Sequence, residues 1–280
     1  MKIEKLSAVI ITYNEEKNIS RCINSLRDIV DEIIVLDSFS TDQTIEIASQ
    51  QGAKVWQEPF RGYIEQKNRA IELASYNYIL SVDADEEIDK ELRQSILSAK
   101  KTFIFSAYKM KRCTNHCGRF IRYGTSYPDK KIRLFDKRVA IWGGLNPHDT
   151  VIFKKTIAVK QLKGEILHYS FPTLKEHFEK NNRYSSIVAK SYYQAGKRTS
   201  LFKVLANPLW AFIHGFLIRR GFLNGKQGFI IAWNQARYTH LKHKKLWKLQ
   251  TEKRQPILSD VQTTTNTDRL AGNIRAEVRS

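Results

Sequence analysis

The 280-residue chain has few cysteines, three in all, and they cannot all pair with one another. Secreted folds that depend on disulfides carry more cysteines at regular spacing, so the sequence indicates a reducing compartment. Cys113 and Cys117 flank His116 in the segment CTNHC, but no second pair of ligands stands at zinc-finger spacing. We therefore do not expect a structural zinc site.

The sequence also lacks an uninterrupted apolar run of about 18 residues, which a membrane-spanning helix requires. The longest candidate, Val204 to Ile218, contains two polar residues and a proline and stops at two arginines, so we expect it to be too short to span a bilayer. Near the N-terminus, the charged segment KIEK leads into a short apolar run. This arrangement is typical of a first strand rather than of a signal peptide.

Acidic residues are scarce after the first third of the chain. Residues 1–99 carry 11 Lys or Arg against 18 Asp or Glu, whereas residues 100–254 carry 33 against 7, and the formal net charge is +19. A basic stretch of this strength predicts a polyanionic partner, such as nucleic acid, an anionic membrane or a phosphorylated substrate. For any single lysine, a solvated basic surface is the simpler alternative.

The first 85 residues alternate between short apolar runs and helical patterns. The runs predict four strands, at Leu6–Thr12, Glu32–Leu36, Ala53–Trp56 and Tyr78–Val82. Strands that are apolar throughout and alternate with helices favour a doubly wound parallel α/β sheet. Shorter strands are expected up to Phe153, and helices from Thr173 onward. The predicted domains are an α/β domain over residues 1–170, a basic helical region over 171–254 and a mobile tail over 255–280.

Polar residues follow three of the predicted strands, where each strand ends. They are Thr12 to Glu15, Asp37 with Ser38, and Asp83 with Asp85. The carboxyl ends of parallel strands meet at one edge, which predicts a crevice of nucleotide size. No glycine-rich dinucleotide fingerprint and no P-loop occurs, which disfavours an oxidoreductase and a P-loop NTPase.

The two acids in Asp83-Ala84-Asp85 are hard oxygen ligands at this edge. Such ligands suit Mg²⁺ or Mn²⁺ holding a phosphate-bearing molecule. The alternative is that both acids cap a helix that begins near Ile88 and interact with its dipole.

Four segments, ITYNEE, VLDSFSTDQT, QKNRAIELA and SVDADEE, together resemble the nucleotide-diphosphate-sugar glycosyltransferases of family 2. The resemblance covers about residues 6–90. It implies the GT-A fold, a Rossmann-like and mostly parallel sheet with flanking helices, here followed by the basic helical region, and an inverting, metal-dependent transfer. By position it implies a base and ribose pocket of Thr12, Tyr13, Glu15 and Asp37, with Arg69 near the diphosphate, Asp83 at the ribose or metal, and Asp85 as a metal ligand.

The downstream segments KIRLFDKRVAIWGGLNPHDT, ILHYSFPTLKEHFEKNNRYS and RRGFLNGKQGF resemble the lipopolysaccharide core β-1,4-glucosyltransferases. This resemblance implies transfer from a UDP-sugar to the inner core on the cytoplasmic face of the inner membrane. In these relatives a histidine and an acid follow the W-x-G segment, where this chain has His148 and Asp149. The acid there is usually glutamate, so Asp149 is one methylene shorter.

An inverting transfer needs one general base to take the proton of the attacking hydroxyl. We expect this base to be Asp149, with Asp129 as the second candidate, although Asp129 follows Pro128 and is also typical of a turn. His168 lies in the strand-like run EILHYS. It is interpreted as a further metal ligand, as a group that binds the diphosphate, or as a structural histidine.

Aromatic and aliphatic residues are interleaved with Lys and Arg between Phe202 and Lys248. This composition suits helices that lie in the membrane interface beside anionic headgroups. The alternative is that the helices pack on the α/β domain and expose only lysines. The sequence contains none of the common RNA-binding motifs, so nucleic acid is not the expected partner.

Together these patterns predict a cytoplasmic enzyme, peripheral on the inner face of the cytoplasmic membrane. It would transfer a hexose, glucose first, from a UDP-sugar to a phosphorylated lipid-linked glycan such as lipopolysaccharide inner core, with Mg²⁺ or Mn²⁺. One alternative is transfer from UDP-GlcNAc or UDP-galactose to another surface polysaccharide. The other is a non-catalytic protein that binds anions or membranes on the same scaffold.

Overall fold

The structure, a computed structural model, describes residues 4–145 and 148–252, without the side chains of Leu145 and His148. Within these residues the chain forms eleven strands and seven α-helices. The strands are β1 (Leu6–Thr12), β2 (Glu32–Asp37), β3 (Lys54–Gln57), β4 (Tyr78–Asp83), β5 (Glu86–Ile88), β6 (Ala107–His116), β7 (Arg119–Phe120), β8 (Asp129–Asp136), β9 (Ala140–Leu145), β10 (His148–Phe153) and β11 (Val159–Phe171). The helices are α1 (Ile19–Leu26), α2 (Thr44–Gln50), α3 (Tyr63–Leu73), α4 (Lys90–Lys100), α5 (Leu174–Gln194), α6 (Leu201–Ile213) and α7 (Lys226–Glu252). The predicted tail, residues 255–280, lies outside the described residues.

Four parallel strands form one half of the large sheet, in the order β3-β2-β1-β4. Ile10 of β1 lies in register with Val35 of β2 and with Val82 of β4. β1, β2 and β4 are buried on both faces because apolar layers cover both sides of the sheet, which explains their unbroken apolar runs. β3, at the edge of the sheet, is largely exposed. The predicted α/β fold with flanking helices is confirmed.

The core packs α1 against one face of this sheet. Its apolar residues Ile19, Cys22, Ile23 and Leu26 follow helical spacing and are fully buried against alternate residues of β1. On the opposite face, Ala70 and Ile71 of α3 pack with residues of β2 and with Trp142 of β9. Each large side chain buried in this way stabilises the fold by about 1.5–3 kcal/mol.

The second half of the sheet continues in the order β8-β6-β11-β5. β4 pairs antiparallel with β8, whereas β5, which follows β4 directly in the chain, pairs antiparallel with β11 at the opposite end of that order. The turn at Ala84 and Asp85 therefore joins two distant strands of one sheet. The long strand β11 sets His168 in register with Glu86.

The helix expected to begin near Ile88 begins instead at Lys90. Asp89 caps it, because the Asp89 side chain accepts a hydrogen bond of 2.6 Å from the backbone N–H of Leu92. Ile88 itself belongs to strand β5. Asp83 and Asp85 are thus not capping residues, and the alternative interpretation of these two acids is wrong.

The chain divides into two compact units. Among the described residues, the α/β unit comprises those up to Arg122 together with those from Ser126 to Pro172, and the helical unit comprises Tyr123–Thr125 and those from Thr173 to Glu252. Within the helical unit, α6 continues into a π-helical turn at His214–Ile218, and a 3₁₀ turn at Gly221–Asn224 leads into α7. A Cβ at Gly228 would lie 1.9 Å from the Gly221 carbonyl oxygen, so this close approach requires glycine.

The segment Leu201–Ile218 corrects one expectation. Among the described residues it is the one helix long and apolar enough to cross a membrane, judged by length and composition. The run from Val204 looked too short because the helix begins three residues earlier, where the Ser200 side chain caps it. Pro208 also lies inside the helix and does not end it.

Candidate active site

Seven charged side chains of the α/β unit form a continuous series of ion pairs, here called the charge chain. In order they are Asp149, Lys67, Asp83, Arg133, Glu86, Arg112 and Asp129. Acidic and basic groups alternate along the chain, so each cation lies between two carboxylates. This alternation allows charges to be buried together that would be costly to bury alone.

Lys67 joins the first two carboxylates of the charge chain, Asp149 and Asp83. Its Nζ lies 2.7 Å from Asp149 Oδ2 and 3.1 Å from Asp83 Oδ1, and its side chain is only 6% exposed. The ammonium also lies 4.5 Å from the centre of the Trp142 ring. Three distant segments, α3, the end of β4 and β10, thus meet at one buried cation.

Arg133 holds the other side of Asp83. Its Nη2 lies 2.7 Å from Asp83 Oδ2 and 3.0 Å from Glu86 Oε1, and both Arg133 and Glu86 are buried. Glu86 in turn accepts a hydrogen bond of 3.0 Å from the backbone N–H of Asp83. The first acid of the D-x-D motif is therefore fixed by a buried scaffold.

The electrostatics follow from this geometry. Burial alone would raise the pKa of Asp83, but the Arg133 guanidinium and the Lys67 ammonium hold that pKa well below its ordinary range. Burial would likewise lower the pKa of Arg133, yet Asp83 and Glu86 raise it above its ordinary value. Both groups are therefore charged at neutral pH.

The second acid of the motif, Asp85, lies beside His168. The imidazole Nε2 is 3.2 Å from Asp85 Oδ2, and the Asp85 carbonyl accepts a hydrogen bond of 2.9 Å from the backbone N–H of Tyr169. The Nδ1 atom of His168 is buried and has no hydrogen-bond partner among the described residues. The long strand β11 thus brings together two residues that are 83 positions apart.

The polar residues after β1 and β2 lie at the same edge of the sheet. Thr12 is in register with Asp37, and Ile11 is in register with Asp83, so the three strand ends are neighbours. Thr12 is buried and its Oγ1 has no partner among the described residues, whereas Tyr13 is exposed. A buried hydroxyl beside an exposed ring is suited to binding a ligand.

Glu15 and Asp37 belong to the loops at this edge. Glu15 accepts a hydrogen bond of 2.8 Å from the Asn18 side chain, and its backbone N–H donates one of 2.7 Å to Thr44 Oγ1. The Asp37 carboxylate is fully buried and accepts hydrogen bonds from the backbone and hydroxyl of Ser40. Asp37 therefore holds its turn in place, and direct contact between Asp37 and a nucleotide stays a prediction.

Arg69 is held by two glutamates, and contact between Arg69 and a diphosphate stays a prediction. Its side chain is partly exposed and pairs with Glu58 at 2.7 Å and with Glu72 at 3.1 Å. Residues two apart on a helix point to nearly opposite sides, so Lys67 and Arg69 cannot both face the sheet. Lys67 shares the buried side of α3 with Ala70 and Ile71, and it takes the position beside Asp83. The spacing of those apolar residues was the signal that favoured Lys67.

Comparison with known sequences agrees with this arrangement. Residues 7–154 match the sequence model of the family described as Glycosyl transferase family 2, which is more than half of the chain. The chain is a family 2 glycosyltransferase. Of the charge chain and the D-x-D motif, every member lies inside the matched range, whereas His168 lies beyond it.

Relatives of this glycosyltransferase are similar along most of its length. An uncharacterized glycosyltransferase of Rickettsia typhi is 36% identical over 270 residues, which are 92% of this chain and 92% of the relative. The lipopolysaccharide core biosynthesis glycosyltransferase LpsC of Rhizobium meliloti is 28% identical over 270 residues, 91% of this chain and 96% of LpsC.

A solved structure shows the same fold. The mannosyltransferase PcManGT from Pyrobaculum calidifontis, in complex with GDP-Man and Mn²⁺, matches with a TM-score of 0.54 and 15% identity. The match covers 89% of this glycosyltransferase and 88% of PcManGT.

Two donors in this glycosyltransferase are placed to hold a metal ion, Asp85 and His168. A carboxylate and an imidazole that converge within 3.2 Å fit Mn²⁺ or Mg²⁺ when a bound ligand supplies the remaining oxygens. Among the described residues, no group of three or more His, Cys, Asp or Glu could hold a metal alone. Asp83 is already paired with two cations, so the geometry favours Asp85 as the ligand.

The two candidate bases lie at opposite ends of the charge chain. Asp149 is separated from Asp83 by Lys67 alone. Asp129 is separated from Asp83 by three further groups, and Arg112 at 2.7 Å and Lys131 at 3.3 Å hold its carboxylate. The glycosyltransferase therefore presents Asp149, and not Asp129, beside the D-x-D motif. The side chain of His148 lies outside the described residues.

Sequence reasoning missed four members of the charge chain, Lys67, Glu86, Arg112 and Arg133. Arg112 carried no signal, because it lies beyond the predicted strand Thr102–Met110 and next to Lys111. Arg133 carried a weak signal, because it stands within the predicted strand Lys131–Phe135 between Ile132 and Leu134. An unpaired arginine in such a strand is costly, which requires a carboxylate partner. The identity of that partner depends on strand pairing across the sheet.

Proposed function

We propose that this glycosyltransferase moves a hexose, glucose first, from a UDP-sugar to a hydroxyl of a phosphorylated lipid-linked glycan such as lipopolysaccharide inner core. We place the reaction at the inner face of the cytoplasmic membrane. One observation carries the proposal, namely the Asp149 carboxylate held 2.7 Å from Lys67, which also contacts the D-x-D motif through Asp83. The name of the relative LpsC supports the choice of acceptor.

The nucleotide end of the donor fits the edge formed by β1, β2 and β4. Thr12 offers a buried hydroxyl, Tyr13 offers an exposed ring, and Glu15 lies in the loop beside them. The diphosphate would lie towards Asp85 and His168, close to the cations Lys67 and Arg133. Mg²⁺ or Mn²⁺ bound by Asp85 and His168 would neutralise negative charge on the diphosphate.

Asp149 serves as the general base. It accepts the proton of the acceptor hydroxyl while that oxygen bonds to the anomeric carbon, and the bond between that carbon and the UDP oxygen breaks with its electron pair leaving on UDP. Attack opposite the leaving group inverts the anomeric centre. Lys67 orients the Asp149 carboxylate through the 2.7 Å contact.

The charge distribution supports an anionic acceptor. Residues 100–254 carry 33 Lys or Arg against 7 Asp or Glu, and residues 1–99 are acidic. Phosphate groups on an inner-core glycan would complement this basic surface and would speed association.

The test compares Asp149→Asn with Asp129→Asn in the full chain, using UDP-glucose, Mn²⁺ and a truncated core acceptor. We expect Asp149→Asn to lower kcat by about 100-fold or more, with KM for UDP-glucose changed by less than about threefold. Asp129→Asn should keep kcat within about tenfold of the parent. Full activity of Asp149→Asn would overturn the assignment of the base.

The metal is tested in the same assay. We expect EDTA to abolish transfer, Mn²⁺ or Mg²⁺ to restore it, and Asp85→Asn to weaken binding of Mn²⁺ measured by calorimetry in the presence of UDP. Transfer that persists in EDTA, or Mn²⁺ binding that Asp85→Asn leaves intact, would overturn the metal assignment.

The donor sugar is decided by comparison among UDP-sugars. UDP-glucose should stabilise the protein against thermal unfolding more than UDP-GlcNAc or UDP-galactose, because only the favoured sugar makes its full set of contacts. If UDP-GlcNAc or UDP-galactose raised the unfolding temperature more than UDP-glucose, glucose would not be the transferred sugar.

A further inference from the structure

The helical unit exposes an apolar face on α6 and the π-helical turn that follows it. Phe202 is 77% exposed, although it is a large aromatic residue. The face, called here the α6 face, consists of Phe202, Leu205, Leu209, Trp210 and Leu217, all exposed. Their spacing of three, four, one and seven residues places them on one side of the helix.

The opposite side of α6 already has its partner. Val204 and Gly215 are buried, and the Val204 carbonyl lies 3.2 Å from His240 Nδ1 of α7. Asn207 Nδ2 lies 3.0 Å from His243 Nε2 of α7. The α6 face is therefore not the core side of this helix pair, and within the described part of the helical unit no element covers it.

The start of α7 extends the apolar surface. Phe229 packs edge-on against Phe212 and Phe216 of the α6 segment, with ring centres 5.6 and 5.8 Å apart, and remains half exposed. Trp233, one turn further along α7, is also exposed. A contiguous apolar patch with exposed aromatic residues marks an interaction site rather than an ordinary surface.

The charged residues around the α6 face indicate what binds to it. Residues 180–251 contain 14 Lys or Arg and no Asp or Glu. Arg219, Arg220 and Lys226 lie beyond one end of the α6 face, and Lys197 and Arg198 precede the other end. The face itself has no charged residue among its five members, whereas both ends are basic. This pattern matches a bilayer, whose apolar interior lies beneath anionic headgroups.

We propose that the α6 face lies in the interface of a bilayer that contains anionic phospholipids, with α6 in the plane of the membrane. Spanning is disfavoured because α7, which packs along α6, carries Gln235, Arg237 and Lys242 and would bring them into the hydrocarbon. A second copy of this chain is disfavoured because two such basic units would repel each other. The proposal holds for any donor sugar, so it goes beyond the proposed reaction.

The test measures binding of the full chain to vesicles by flotation. Vesicles of phosphatidylcholine with about a quarter phosphatidylglycerol should bind at least about tenfold more protein than pure phosphatidylcholine, and high salt should reduce the binding. Phe202→Ser should weaken binding by about tenfold, since it removes an aromatic side chain that the proposal buries in the bilayer. Arg219→Gln combined with Arg220→Gln should weaken binding to the anionic vesicles alone.

The matched control is Ile104→Ser. Ile104 is also 77% exposed but lies in the α/β unit, so this variant should bind vesicles like the parent. Circular dichroism should show parental helicity for both serine variants, because each replaces a residue that is mostly in solvent.

Four results would overturn the proposal, and the first three concern binding and oligomeric state. They are equal binding to both vesicle types, Phe202→Ser that binds like the parent, and a dimer in light scattering that Phe202→Ser dissociates. Displacement of the protein from vesicles by RNA at equal charge would also overturn it. The proposed reaction is tested separately, because Phe202→Ser should keep full transfer to a deacylated acceptor in solution, whereas Asp149→Asn should lose transfer and still bind vesicles.

Discussion

At the scale of single residues, the site is organised around a buried lysine. The Lys67 ammonium contacts two carboxylates and lies over the Trp142 ring. These three groups stabilise its positive charge. A cation in such a place is costly to bury alone and costly to remove once its partners are buried around it. The same residue therefore links the stability of the α/β unit to the arrangement of Asp83 and of the proposed base, Asp149.

We expect Lys67→Met to lower the free energy of unfolding by about 3 kcal/mol, because Asp149 and Asp83 each lose a buried partner. Transfer should fall by about 100-fold or more, since the carboxylates lose their common orientation. Urea denaturation and the transferase assay measure the two effects.

The control for Lys67→Met is Lys54→Met. Lys54 pairs with Glu32 at 3.0 Å, but its side chain is largely exposed. An exposed ion pair contributes less than about 1 kcal/mol, so this variant should remain close to the parent in both assays. Equal effects of the two substitutions would show that burial of the charge chain has no energetic consequence.

At the scale of elements, His243 of α7 contacts α6 and the residue before its cap. His243 lies 2.9 Å from Thr199 Oγ1 and 3.0 Å from Asn207 Nδ2. Burial, together with the positive charges of Lys242 and Lys203, lowers the pKa of His243 below its ordinary value. The ring therefore stabilises this helix pair in its neutral form.

A depressed pKa in the folded state means that the unfolded chain binds the proton more readily. The stabilising effect of His243 is therefore complete above the ordinary histidine pKa of about 6.5 and is lost as pH falls through the lower folded-state value. We expect the urea midpoint to fall between about pH 7.5 and about pH 5, and His243→Gln to make this fall smaller. An identical pH dependence in parent and His243→Gln would contradict this.

Elements of the parallel half of the sheet were predictable within one or two residues. β1, β2 and β4 are buried on both faces, so their apolar runs are unbroken and their ends are marked by polar residues. β5 and β11 were less visible. β5 has three residues, two of them glutamates, and β11 mixes apolar and charged residues before the strand-like run EILHYS. Neither β5 nor the start of β11 has a period that distinguishes it from a loop.

At the scale of the whole molecule, charge is divided along the chain. The first 99 residues are acidic and residues 100–254 are strongly basic. This division separates the part that carries the D-x-D motif from most of the cations available to an anionic acceptor. Salt screens the long-range attraction between these cations and an anionic acceptor.

We expect the KM for a phosphorylated acceptor to rise at least about fivefold between about 50 and about 500 mM KCl, because screening weakens its attraction to the basic surface. The KM for the dephosphorylated acceptor should change less than about twofold, and kcat should stay constant for both. Initial-rate measurements at fixed, saturating UDP-glucose test this. The same rise in KM for both acceptors would show that acceptor phosphate does not contribute to binding.

The sequence by itself determined the parallel α/β half, the polar strand ends and the family. These properties depend on local periodicity and on short motifs, which involve residues close together in the sequence. It also determined the basic character of the remainder of the chain.

The tertiary structure decided which charged side chains contact one another. Lys67 rather than Arg69 faces Asp83, and Asp149 joins them from 82 residues further along the chain. His168 reaches Asp85 only through the pairing of β5 with β11. Such contacts depend on strand order and on which side of a helix is buried, and no local pattern of residues specifies either one.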